Sequence, residues 1–205
     1  NPLKLESIHN TYNISLDSLK HILKNNLEIP NSLRNQLLVQ GSAIVLNPKN
    51  GNVLGMIGGR SEDIYIDHYN RATQAKRQPG SVFKPFIYLS ALENGVTACK
   101  RLMNTPLSIF LNEDGEVWNP QNWDGSYGGM KNLREGLLES ANLISVRIVK
   151  EEISPSKVKS TAKRFDFTTP IRAFESISLG VSEVKLIDIV SAYSAIANNG
   201  ILIKP

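Results

Sequence analysis

The sequence predicts a mixed α and β domain whose sheet is incomplete within its 205 residues. Three observations carry that expectation. Two β-rich runs are joined by a turn between Ala43 and Ile57, and predominantly helical patterns follow from Ser81 to Asn198. An apolar strand-like run then begins at Ile201, just as the chain stops.

Taken in order, residues 1–39 are rich in Asn, Leu and Lys. Within SLDSLKHILKNN, the spacing of Leu16, Leu19, Ile22 and Leu23 is that of an amphipathic helix, so residues 1–39 read as a helical lead-in or interdomain linker. The texture changes at residue 40, and residues 40–205 read as one domain. GSAIVLNPKNGNVLGMIGG holds strands Ala43 to Leu46 and Val53 to Ile57 around a Pro, Asn and Gly turn, which predicts a hairpin. The polar, aperiodic stretch Arg60 to Gln78 reads as a surface loop.

A helix is expected from Ser81 to Glu93, stopped by Asn94-Gly95, with Pro85 tolerated in the first turn, where few amides have intrahelical partners. Val96 to Met130 carries too many turn formers for a long regular element. Asn132 with Glu135 has the spacing of a capping box. Further helices are expected over Leu143 to Glu152, Pro155 to Phe165 and Val184 to Asn198, the last closed by Asn199-Gly200.

Composition narrows the function classes. The formal charge is +4, but Lys and Arg are scattered among Asp and Glu rather than gathered into a basic block, which argues against nucleic acid as a partner. Cys99 is the single cysteine, so no internal disulfide and no cysteine-based metal cluster can form. His9, His21 and His68 lie too far apart for a local metal box, and neither a metal nor a cofactor is implied. No apolar run approaches the roughly 20 residues that span a bilayer, and no secretory leader is evident. The chain opens at Asn1-Pro2 without a methionine and stops within NGILIKP, which suggests a soluble protein or one separated from its anchor.

The chemistry concentrates in NRATQAKRQPGSVFKPF. A serine hydroxyl is a poor nucleophile near neutral pH and needs a base within reach, together with donors for the oxyanion that forms. Placing Lys84 three residues after Ser81 puts both side chains on one helix face, so the amine can approach the hydroxyl. That lysine must be neutral to act as a base. Its usual pKa near 10.4 would have to fall by roughly 3 units, and burial at a helix start pushes that way.

Ser-x-x-Lys alone is not diagnostic, because it recurs at Ser154/Lys157, Ser156/Lys159, Ser160/Lys163 and Ser182/Lys185. Ser154 and Ser182 read as helix caps, and Ser156 and Ser160 as part of a solvated face. Only Ser81 combines a Pro-Gly turn, an apolar helix after it and a long polar loop before it. On the residues alone, a capped and buried helix start competes with the catalytic reading. Ser140-Ala141-Asn142 is the chain's one Ser-x-Asn and sits between two predicted helices. Such a turn can aim a second hydroxyl and an amide into one cleft, although simple capping explains it equally well.

Taken together these stretches resemble the penicillin-binding proteins, specifically the transpeptidase domain of the class A, bifunctional type. The resemblance lies in YNRATQAKRQPGSVFKPFIYLSALE, in the hairpin GSAIVLNPKNGNVLGMIGG, in WNPQNWDGSYGGMKNLREGLLESANLISVRIV and in SLGVSEVKLIDIVSAYSAIANNG, all in the family's order. It implies the α+β fold of penicillin-binding transpeptidases and serine β-lactamases, an antiparallel sheet flanked by helices, here incomplete. It also implies that Ser81 is the acylated nucleophile, Lys84 its general base, Ser140 a proton relay and Asn142 a contact for the substrate backbone. The implied substrates are D-Ala-D-Ala stem peptides of peptidoglycan, and β-lactam antibiotics would trap the same serine. The parent protein would be membrane-anchored at the extracytoplasmic face of the plasma membrane, with a glycosyltransferase domain upstream.

One departure stands out. The family's Lys-Thr-Gly or Lys-Ser-Gly motif does not occur in these residues. It would bring an oxyanion-hole amide and a second lysine, so the chain reads as the N-terminal portion of the domain, with an impaired site when alone. Three rival readings remain. One is a β-lactamase or D,D-carboxypeptidase, against which stand the Ser-Ala-Asn sequence and the lack of a following Glu-x-x-x-Asn. Another is a β-lactam-sensing receptor domain, and the third is a purely structural helical domain, which predicts no penicillin labelling.

Overall fold

The computed structural model describes residues 15–25, 39–60, 68–110 and 116–205. Most of the predicted lead-in, including His9, lies outside them. Within it, helix α1 (Leu16–Lys24) is capped by Ser15, whose hydroxyl accepts from the Ser18 amide at 3.1 Å.

The hairpin forms where the alternation placed it, from β1 (Ala43–Leu46) and β2 (Val53–Ile57). The strands are antiparallel, pairing Ala43 with Ile57, with a bulge between Val45 and Leu46. Gly51 closes the turn at φ 76°, and its amide donates to the Asn47 carbonyl at 2.9 Å. Every residue of β2 is exposed, Leu54 and Ile57 included.

The 60–78 stretch is not wholly loop. Strand β3 (Lys76–Arg77) pairs with the later β8 (Val184–Lys185), and Ala72 is fully buried. A 3-10 turn, Gly80–Phe83, then leads into α2 (Lys84–Glu93), so the expected single helix from Ser81 is two elements in series. Pro85 falls in the first turn of α2. This helix is apolar nearly all round and is accordingly central. Phe86, Ile87 and Ala91 are fully buried, and Phe86 meets Phe165 edge-on at 4.8 Å and Tyr193 at 5.8 Å.

Short strands punctuate the next stretch. Strand β4 (Arg101–Met103) pairs with β7 (Met130–Asn132), and β5 (Ile109–Phe110) with β6 (Val117–Trp118). The described strands thus make four two-stranded antiparallel sheets, with helices filling the core. Helix α3 (Leu133–Leu138) begins with the expected capping box of Asn132 and Glu135.

Helix α4 (Asn142–Arg147) passes into a π-turn, Ile148–Glu152, where one α-helix was expected through Glu152. The Ile153 amide donates back five residues, to the Ile148 carbonyl. Helix α5 (Pro155–Lys163) is capped by Ser154, and Ser156, Lys157, Lys159, Ser160 and Lys163 are exposed as expected.

Ser182 is not a cap. It is buried, and its hydroxyl accepts from the Arg172 amide at 3.1 Å, while helix α6 (Leu186–Ala197) starts only after β8. The reason is tertiary: the Ile187 amide donates to the Ala72 carbonyl at 3.0 Å, so the loop before β3 takes the place of a capping side chain.

Candidate active site

The turn carrying Ser81 is held from behind by the segment between Glu175 and Ala197. The Gly80 amide donates to the Gly180 carbonyl at 3.1 Å, and Tyr193 of α6 donates its hydroxyl proton to the Val82 carbonyl at 2.7 Å. Gly180 sits at φ 68°, and a Cβ there would lie 2.2 Å from the Gly80 carbonyl oxygen. Gly180→Ala is therefore expected to destabilise the protein by at least about 2 kcal/mol, from left-handed strain plus the clash, and to displace Ser81. Chemical denaturation checks the first effect. Unchanged stability would mean that the two backbones separate at no cost.

Ser81 is exposed on the wall of a cleft of about 610 Å³. The same cleft is lined by Ser140 and Asn142, by Asn122, Trp123, Asp124 and Ser126 of the loop before β7, and by an ion pair between Lys131 and Glu139 at 2.5 Å. A second cavity of about 470 Å³, walled by Pro106, Leu107, Gln121 and Tyr127 among others, shares Asn122 and Ser126 with it. The four residues singled out in the sequence thus converge on one site.

Lys84 opens α2 and is 1% exposed. Its amine donates to the Ser140 carbonyl at 2.6 Å, to Asn142 Oδ1 at 2.7 Å and to Ser140 Oγ at 3.1 Å. The Lys84 backbone amide donates to the Ser81 carbonyl, closing the 3-10 turn that keeps positions three apart on one face, while among the described residues no side-chain hydrogen bond joins the Lys84 amine to the Ser81 hydroxyl. Burial pushes the Lys84 amine down from 10.5 to about 8. Its three acceptors favour the ammonium form, and burial prevails. At pH 7 the neutral amine is then a minor form, far more populated than in a free lysine.

Ser140 has a left-handed backbone at φ 52°. It ends α3 as a glycine would: the Ala141 amide donates to the Gly136 carbonyl at 2.9 Å and the Ser140 amide to Leu137 at 3.1 Å. A β-carbon in that conformation costs about 1–2 kcal/mol, and the strained turn brings both Ser140 oxygens to Lys84. Asn142, two residues onward, donates from Nδ2 to the Gln121 carbonyl at 2.8 Å.

Sequence reasoning missed the wall opposite. Asn122 accepts from the Leu143 amide at 3.1 Å, and Trp123 is 99% exposed at the rim. The available signal was the density of Asn and Trp in WNPQNWDGSYGG, more than turns alone require. Among the described residues no group of His, Cys, Asp and Glu is placed to hold a metal, and no helix is long and apolar enough to cross a membrane.

A buried lysine bound to a Ser-x-Asn turn thus stands beside an exposed serine on a mixed helical and stranded scaffold. The crystal structure of penicillin-binding protein 1A from Haemophilus influenzae superposes with a TM-score of 0.73 at 34% identity, covering 81% of this chain and 24% of that one. Residues 41–205 match the family described as the penicillin binding protein transpeptidase domain, and the chain belongs to that family. It is 41% identical over 165 residues to penicillin-binding protein 1A of Neisseria flavescens, covering 80% of this chain and 20% of that protein. The corresponding protein of Rickettsia bellii is 38% identical over 167 residues, 82% and 21% of the two lengths. The chain thus spans about a fifth of the length of these relatives.

Proposed function

We propose that the chain carries the acyl-transfer site of a peptidoglycan D,D-transpeptidase, which cross-links the cell wall. The observation that carries this reading is the fully enclosed Lys84 amine, bound by Ser140 and Asn142 at the edge of the cleft that Ser81 lines.

Neutral Lys84 takes the proton as Ser81 Oγ attacks the carbonyl of the penultimate D-Ala. The bond from that carbonyl carbon to the terminal D-Ala nitrogen breaks, and the proton held by Lys84 passes through the Ser140 hydroxyl to the departing amine. An amine from a neighbouring strand then attacks the acyl-enzyme, gives up its proton and frees Ser81. Asn142 offers its amide to the donor peptide backbone. A β-lactam follows the first half of this path, with its ring amide as the bond broken and its amine kept on the adduct. The fitting location is the outer face of the bacterial plasma membrane, where stem peptides and β-lactams meet the enzyme.

The expected result is a reporter β-lactam bound covalently to Ser81 in the complete protein, read by peptide mapping of the adduct. Attachment at Ser140, Ser154 or Ser182 would sink the assignment. Transfer of the acyl group to an added acceptor amine separates the transpeptidase from a hydrolase or a sensor.

A further inference from the structure

The Asn122 side chain makes three hydrogen bonds inside the protein, using both of its donors and one acceptor position of its oxygen. Its Oδ1 accepts from the Leu143 amide at 3.1 Å, and its Nδ2 donates to Asn104 Oδ1 at 2.9 Å and to the Ser126 carbonyl at 2.8 Å. Asn104 is itself fixed, being 3% exposed and bonded through its backbone to Gly128 at 2.6 Å and Gly129 at 3.0 Å. The neighbouring Gln121 carbonyl receives Asn142 Nδ2.

A carbonyl oxygen only accepts, so the end of the Asn142 amide that faces Gln121 has to be Nδ2. The other end, Oδ1, is thereby left facing the Lys84 amine. If the amide flipped, it would present a donor to a group that donates. We infer that Asn122 is a positioning residue for acyl transfer: it locks the 119–129 loop onto the first turn of α4, so that the Gln121 carbonyl orients the Asn142 amide toward Lys84. This rests on the acyl-transfer reading above. Asn122 acts through Asn142 and touches no reacting atom.

The test uses the complete protein and a reporter β-lactam, with stopped-flow rates over a range of ligand concentrations to separate reversible binding from the covalent step. Asn122→Ala is expected to slow the covalent step about 10- to 100-fold, the scale of a misplacement near 1 Å, with reversible binding changed less than about twofold. Asn104→Ala removes an anchor of the Asn122 amide without touching the cleft, and should slow the same step by a smaller factor. It decides the matter if Asn122→Ala fails to fold.

A folded variant whose covalent rate equals the parent's overturns the inference. So does a smaller labelled fraction at unchanged rate, the mark of a purely structural role. If the unmodified protein is not labelled at Ser81, the acyl-transfer reading itself fails, and this inference fails with it.

Discussion

Lys84→Arg is expected to slow β-lactam acylation of the complete protein by about 10²- to 10⁴-fold, the usual span of general-base catalysis, although it preserves the positive charge. A guanidinium does not give up its proton in proteins, whereas burial has already brought the Lys84 amine down to about 8. The sign of the pH dependence follows. Below about 8 the amine holds its proton and cannot take another, so acylation by the unmodified protein should rise with pH and level off above that value. Stopped-flow acylation between pH 6 and pH 10 measures both effects. An arginine variant that acylates at the parent rate would make Lys84 a structural partner of Ser140 and Asn142, and a flat profile would mean that its titration does not gate the reaction.

The second large effect concerns what these residues lack. Lys-Thr-Gly and Lys-Ser-Gly do not occur in the 205 residues, and the family resemblance implies that such a motif contributes an oxyanion amide and a second lysine. One oxyanion donor is worth about 10² to 10³ in rate, so the 205-residue chain alone is expected to acylate at least about a hundredfold more slowly than a chain that also carries that motif. Supplying the segment, in cis or as a separate chain, should restore much of the rate. The hairpin gives a structural reason to expect such a partner, because Val45, Leu54 and Ile57 are 56%, 66% and 60% exposed on a two-stranded sheet. Equal acylation rates for the two chains would show that the motif has a different role.

What the sequence made legible was local. The hairpin announced itself by alternation around an Asn and Gly turn, and the cap of α3 by Asn132 and Glu135. Ser154 capped α5 for the same reason: its partner amide lies three residues away. Ser182 has similar surroundings in sequence, yet its hydroxyl meets Arg172, a contact that exists only once the chain has folded.

The site divides along the same line. Ser81, Lys84, Ser140 and Asn142 stood out because their side chains have recognisable chemistry at recognisable spacing. Gln121 contributes a backbone carbonyl, which any residue carries, and Asn122 works through three contacts remote in sequence or made to main chain. Neither leaves a mark that spacing rules detect. The π-turn after α4 was hidden too, because the run Ile148–Glu152 has helical periodicity either way.

The left-handed backbone of Ser140 sets robustness against chemistry at a single position. Glycine is the residue that best relieves such a helix end, so selection for thermal tolerance alone would favour Ser140→Gly. The same change would delete the hydroxyl that faces Lys84. On the proposed relay role of Ser140, a laboratory lineage evolved only for heat resistance would therefore drift toward a sturdier protein that is slow to release its leaving group.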